Sequence, residues 1–172
     1  MPVTTPSLND IDIIIALGNP GHEYIHTYHN AGVQFVDFLT AADIKSPLPD
    51  LIPLLGSYMN ESGPLVQKVL KKSGITPDKL LLVHDDVDTP LGEYKFSFGS
   101  GAAGHHGVES TIASLGTKDF WRLRIGIAKT IETPEGQRIK LKADTYVLKQ
   151  ISQKDLESMH DAFKKAADQL SQ

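Results

Sequence analysis

Ile11-Asp12-Ile13-Ile14-Ile15-Ala16-Leu17, running straight into Gly18-Asn19-Pro20-Gly21, decides the architecture. A nearly continuous apolar run closed by turn residues reads as a strand buried on both faces. Such strands need helices above and below them. Val33, Val36, Leu39 and Ala42 recur at helical spacing and predict a helix over 32–42. Ser62 and Pro64 suit a capped helix start, and Gly74 suits its stop. Residues 79–83 form a second buried strand, which ends in His84-Asp85-Asp86-Val87-Asp88. Tyr94, Phe96 and Phe98 alternate, as do Trp121, Leu123, Ile125 and Ile127, so both stretches read as half-buried strands. Arg122 and Arg124 then fall on a solvated face, and these strands are expected to be antiparallel members at an edge. Between them, a Gly-rich turn over 99–107 leads into a short helix. Ser152 with Asp155 has the spacing of a capping box, opening a last helix with Leu156, Met159, Phe163, Ala166 and Leu170 on its apolar face. The expected fold class is α/β, a three-layer sandwich with a mixed, mostly parallel central sheet flanked by helices.

The chain of 172 residues fits one domain, read as 11–172 behind a flexible leader over 1–10. The three prolines within 46–55 predict a loop or an irregular edge strand there. A hydrophobic content of 40% excludes wholesale disorder. With 17 Lys+Arg against 21 Asp+Glu, a nucleic-acid partner needs a local basic patch rather than a basic coat. Cysteine is absent, which removes disulfides, thiolate metal sites and thiol nucleophiles, and fits a reducing compartment. No apolar run approaches the roughly 20 residues of a membrane span. The N-terminus lacks the pattern of a signal peptide, so the reading is cytoplasmic, without a membrane partner. No long heptad pattern marks an obligate dimer, and a monomer is expected.

Ligands of such sheets bind beyond the carboxyl ends of the strands. Three polar clusters stand there: Asn19 to Asn30, Tyr58 to Gly63, and His84-Asp85-Asp86. A histidine near neutral pKa is the natural base for a hydrolase, and a carboxylate on its far nitrogen fixes the tautomer. Asparagine amides orient water or hold an oxyanion. Each cluster also has a plainer role. Asn19-Pro20-Gly21 makes a turn, Asn60 a cap, and Asp85 to Asp88 a polar loop. A zinc reading of His22, His26 and His29, or of His105-His106, meets Pro20, Gly21 and Gly32, which oppose a regular helix, and no His-Glu-x-x-His occurs. The glycine turns match neither a dinucleotide nor a phosphate loop.

Four stretches in order resemble the bacterial-type peptidyl-tRNA hydrolase family. They are Gly18-Asn19-Pro20-Gly21-x-x-Tyr24-x-x-Thr27-x-His29-Asn30-Ala31-Gly32, Tyr58-Met59-Asn60-x-Ser62-Gly63, Val83-His84-Asp85-Asp86-x-Asp88-x-Pro90-x-Gly92, and Phe120-x-Arg122-Leu123-Arg124-Ile125-Gly126-Ile127. The resemblance implies hydrolysis of the ester between a peptide and the 3′ end of tRNA, without metal or other cofactor. It makes His29 the general base and Asp85 its orienting carboxylate. Asn19 and Asn60 position the ester and the terminal nucleotide, and Tyr24 and Met59 line the cleft. Arg124 meets tRNA phosphate with Lys95 nearby, so the partner is the acceptor end of peptidyl-tRNA.

The chain also departs from the family pattern. Gly104-His105-His106-Gly107 stands where the family reads Gly-His-Asn-Gly, so the residue that holds water there is His106. An imidazole cannot both donate and accept from one side as an amide does. The change is expected to lower the rate or to make it depend on pH through a second histidine. Ala102 and Ala103 stand where the family usually has glycine and histidine, Ser97 stands where a phosphate-binding lysine is common, and the stretch before Tyr58 is shorter than usual. These departures keep open a non-catalytic RNA-binding relative as the alternative function.

Overall fold

A computed structural model of the protein describes residues 5–44 and 47–172. Five strands form the main sheet: β1 (Ile13–Leu17), β2 (Asp50–Leu54), β3 (Leu80–Pro90), β4 (Tyr94–Phe98) and β5 (Trp121–Ala128), in the order β2-β1-β3-β5-β4. β1 runs parallel to β2 and β3, β3 parallel to β5, and only β4 is antiparallel. Four helices cover it: α1 (Ala31–Ala41), α2 (Ser62–Ser73), α3 (His106–Leu115) and α4 (Gln153–Leu170). Alternate side chains of the inner strands divide between two cores. Ile14, Ala16, Leu81 and Val83 pack with α1 and α4, including Phe35 and Phe163. Ile13, Ile15, Leu17, Leu80 and Leu82 pack with α2 and α3, including Val66 and Val108. Every β1 side chain is therefore buried, which is why its sequence is apolar without alternation.

Close approach sets the helix positions. A Cβ on Gly63 would lie 1.9 Å from the Ser110 carbonyl oxygen, so glycine lets α2 and α3 touch. Likewise a Cβ on Gly32 would lie 2.6 Å from the Val83 oxygen, which seats the first turn of α1 against β3 beside the polar strand end.

The structure corrects several sequence expectations. β5 is not an antiparallel edge strand but an inner one, parallel to β3. Its alternation separates a greasy face from a face buried in a different way, since Arg122 is only 2% exposed beneath the turn carrying Ser100 and Gly101. Ser62 lies within α2 rather than capping it, and its hydroxyl donates to the Met59 carbonyl. Ser152 does cap α4, accepting from Asp155 N. The Asp155 carboxylate, however, takes bonds from Tyr28 and Lys129. Of the leader expected over 1–10, residues 1–4 lie outside the described residues. The remainder is a packed turn, with Leu8 in the core and Ser7 bonded to the Asp10 carboxylate. Within the proline-rich stretch Ser46 is also outside the described residues, and β2 forms an edge strand carrying Pro53. The charged stretch after β5 folds as a hairpin of β6 (Thr130–Glu132) and β7 (Arg138–Lys140).

Candidate active site

β3 carries Asp85 to the carboxyl end of the sheet and buries it to 1% exposure. The turn Tyr28–Asn30, just before α1, brings His29 to it, with Nδ1 2.8 Å from Asp85 Oδ2. The backbone N–H of His29 donates to the Val147 carbonyl at 2.9 Å, anchoring the turn to the far wall. The other carboxylate oxygen, Oδ1, lies 2.8 Å from His105 Nε2. His105 also caps α3, its Nδ1 accepting from Val108 N–H at 3.3 Å. That bond fixes the tautomer. A ring whose Nδ1 accepts carries its proton on Nε2, so His105 donates to Asp85. Asp85 thus accepts from two rings, and His29, donating through Nδ1, keeps Nε2 as a lone-pair base.

Electrostatics agree with this arrangement. Burial by itself pushes the Asp85 carboxyl up, but the charges and bonds of His29 and His105 hold it well below the usual carboxylate range. Burial likewise opposes protonation of His29, yet the Asp85 charge and bond raise it above the ordinary imidazole value. Behind the pair, His84 is buried. Its Nδ1 donates to the Asp85 carbonyl at 2.6 Å, and its Nε2 lies 3.4 Å from Arg122 Nη1. Burial first, then His105 and Arg122, push His84 well below the ordinary imidazole value. Arg122 holds the glycine turn through the Ser100 and Gly101 carbonyls. Burial and neighbouring Arg124 push its guanidinium down to about 10.

Two hollows adjoin the pair. One, a cavity of about 390 Å³, is lined by His29, Asp85, Arg122, His106, Ala143 and Val147 among others. The other, of about 400 Å³, is lined by Asn19, Tyr58, Met59, Asn60 and His106. Asn19 is fixed by a reciprocal pair of bonds with Asn30, and its amide oxygen accepts from Met59 N–H at 2.9 Å. The amide NH2 is the group it offers a ligand. Asn60 and His106 are exposed. Arg124 pairs with Asp86 at 2.8 Å. Lys95 stands opposite Arg124 in the β4–β5 ladder, exposed to solvent, and lines neither hollow. Tyr24 is half-buried and lines neither hollow.

Sequence reasoning placed His84 in the third polar cluster without giving it a role, weighed His105 only as a zinc ligand, and read Arg122 as solvated. His105 had one readable sign, a polar residue just before a helix. Arg122 had none, because its partners come from a turn more than 20 residues upstream. Among the described residues, His29, Asp85 and His105 also place ligand atoms within 4.8 Å of one another, close enough for a metal ion. The bonding argues for protons there instead. A metal on His105 Nε2 would displace the proton to Nδ1, where Val108 N–H already occupies the lone pair.

A buried carboxylate backing a half-exposed imidazole, at the carboxyl ends of parallel strands, defines a hydrolase of the α/β class. The family model for peptidyl-tRNA hydrolase matches residues 53–172, and the chain belongs to this family. It is 37% identical over 175 residues to the peptidyl-tRNA hydrolase of Saccharophagus degradans, spanning 91% of this chain and 85% of that one. Its likeness to the Lawsonia intracellularis enzyme is 35% over 92% of this chain and 85% of that one. Among solved structures, the peptidyl-tRNA hydrolase of Acinetobacter baumannii superposes with a TM-score of 0.75 at 27% identity, covering 98% of this chain and 97% of that one. A peptidyl-tRNA hydrolase complexed with N-propanol gives 0.76 at 27% identity, over 96% of this chain and 91% of that one.

Proposed function

We propose that this chain hydrolyses the ester joining a peptide to the 3′ end of tRNA, with His29 as general base. One observation carries the reading. His29 is bonded through Nδ1 to Asp85, which leaves Nε2 at the cavity for a water molecule. Water loses a proton to Nε2 as its oxygen attacks the acyl carbon, and Asp85 stabilises the imidazolium that forms. The about 390 Å³ cavity takes the peptide side of the ester, and the hollow at Asn19, Met59 and Asn60 takes the terminal nucleotide. Asn19 NH2 and the Asn60 amide hold the ester between them, and positioning plus one base suffices for so labile a bond. Arg124 and Lys95, neighbours across the β4–β5 ladder, take a backbone phosphate. No part of this scheme calls for a metal or other cofactor.

The alternative of a non-catalytic RNA-binding relative is not favoured, because the base and its carboxylate stand in working geometry. No helix among the described residues is long and apolar enough to cross a membrane. We further propose a cytoplasmic monomer, where the substrate of a translation enzyme occurs. The test is turnover of N-blocked aminoacyl-tRNA by the native chain, with and without chelator, beside His29→Ala. Chelator-resistant turnover that is lost in the variant is expected. RNA binding without turnover would restore the alternative.

A further inference from the structure

Among the described residues, His106 alone lines both hollows, the one beside His29 and Asp85 and the one formed by Asn19, Tyr58, Met59 and Asn60. If one hollow holds the acyl group and the other the ribose, the bond that breaks lies between them. His106 therefore stands at the scissile position. Its Nδ1 lies 3.3 Å from Glu109 Oε2, one turn along α3, so Nδ1–H donates to the carboxylate and Nε2 is left for a ligand. Building on the hydrolase reading above, we propose that His106 is a second catalytic residue, the general acid that protonates the departing 3′-oxygen of the tRNA ribose.

The proton balance closes. His29 Nε2 takes one proton from water as the C–O bond to the acyl carbon forms. The bond from that carbon to the ribose O3′ then breaks with its electron pair on oxygen. The His106 imidazolium gives its Nε2 proton to O3′, yielding the free 3′-hydroxyl and the peptide acid. His29 then releases its proton to solvent, and His106 regains one from solvent. Two separate groups hold the base and acid roles, so neither has to switch from one role to the other within one turnover.

Charged neighbours face His106 from every side of the hollows. Glu109 lies on its own helix and Glu61 on the turn before α2. Asp85 and Asp86 face it from β3, Arg122 and Arg124 from β5, Asp144 from the opposite wall, and His29 across the cavity.

The experiment is the pH profile of kcat with N-blocked aminoacyl-tRNA for the native chain, His106→Asn and His106→Ala. The exposed start of α3 tolerates both changes. The native profile is expected to be bell-shaped, with one limb set by the base and one by the acid. His106→Asn should lose one limb, and His106→Ala should lower kcat about 100-fold. Added imidazole should restore part of the His106→Ala rate, which a packing role would not allow. An unaltered profile in His106→Asn, or a loss in His106→Ala that imidazole leaves untouched, overturns the assignment while His29→Ala still reports on the hydrolase reading. A native chain without turnover overturns both.

Discussion

The two hollows of the site are built in opposite ways. Around Asp85 each polar group has its bond: both carboxylate oxygens, the His105 and His84 rings and the Arg122 guanidinium are committed to neighbours in the fold. Around Asn60 and His106 the side chains are exposed; the amide oxygen of Asn19 is tied to Met59, and the His106 ring has one partner, the exposed Glu109. The base end is preorganised, and the nucleotide end is left for the substrate to complete. Rigid wiring belongs where water must be activated, and an open wall belongs where a large RNA must enter and leave.

If that contrast is right, damage to the wired end is the most costly. His29→Ala should lower kcat by about 10²- to 10⁴-fold with unchanged substrate binding, read by single-turnover kinetics. A loss confined to KM would move His29 out of the base role. Asp85→Asn should cost activity and also stability. An amide presents NH2 to one of two rings that both donate, leaving a buried donor unpaired at about 1–3 kcal/mol. A variant melting at the native temperature would show that one of the two bonds contributes nothing.

Acid should loosen the same end. His84 is held neutral and Asp85 ionised by their surroundings, so both bind protons more readily in the unfolded chain. Their contributions are complete above the unfolded values and fade below about pH 6.5 for His84 and about pH 4 for Asp85. His29 has the opposite sign, because its raised value favours the folded chain below the ordinary imidazole value and is lost as pH rises through the folded one. Urea midpoints should therefore fall between about pH 7 and pH 5. A midpoint flat across that window, in the native chain and in His29→Ala alike, would mean that His84 is not held neutral.

At the open end, His106 apart, the effects shrink. Asn60→Ala should raise KM several-fold and lower kcat far less than His29→Ala does, because the exposed Asn60 helps to hold the ester and moves no proton. Lys95→Ala should flatten the slope of log affinity against log salt by about 1 or less, the share of a single phosphate contact. A large drop in kcat from either change would erase the difference between the two ends.

What could be read in advance follows from where the information lies. The run from Ile11 to Leu17 states its own burial, because a strand covered on both faces has no polar alternation to hide behind. Spacing alone left His29 and Asp85 open to plainer roles, and it was their place in the family's pattern that singled them out. Arg122 was misread because period-2 alternation says that two faces differ, not that one of them is wet. The lid over its face, the turn at Ser100 and Gly101, is remote in sequence. His105 was overlooked because its work, joining a helix start to a carboxylate, exists only once the chain is folded.

One ring therefore terminates α3 and steadies the carboxylate behind the base. The first turn of that helix cannot fray without releasing one arm of Asp85, so the exchange rate of the Val108 amide is a spectroscopic gauge of catalytic readiness. A protein with no disulfide to lock its loops has made the order of a glycine-rich turn and the strength of its base one and the same variable.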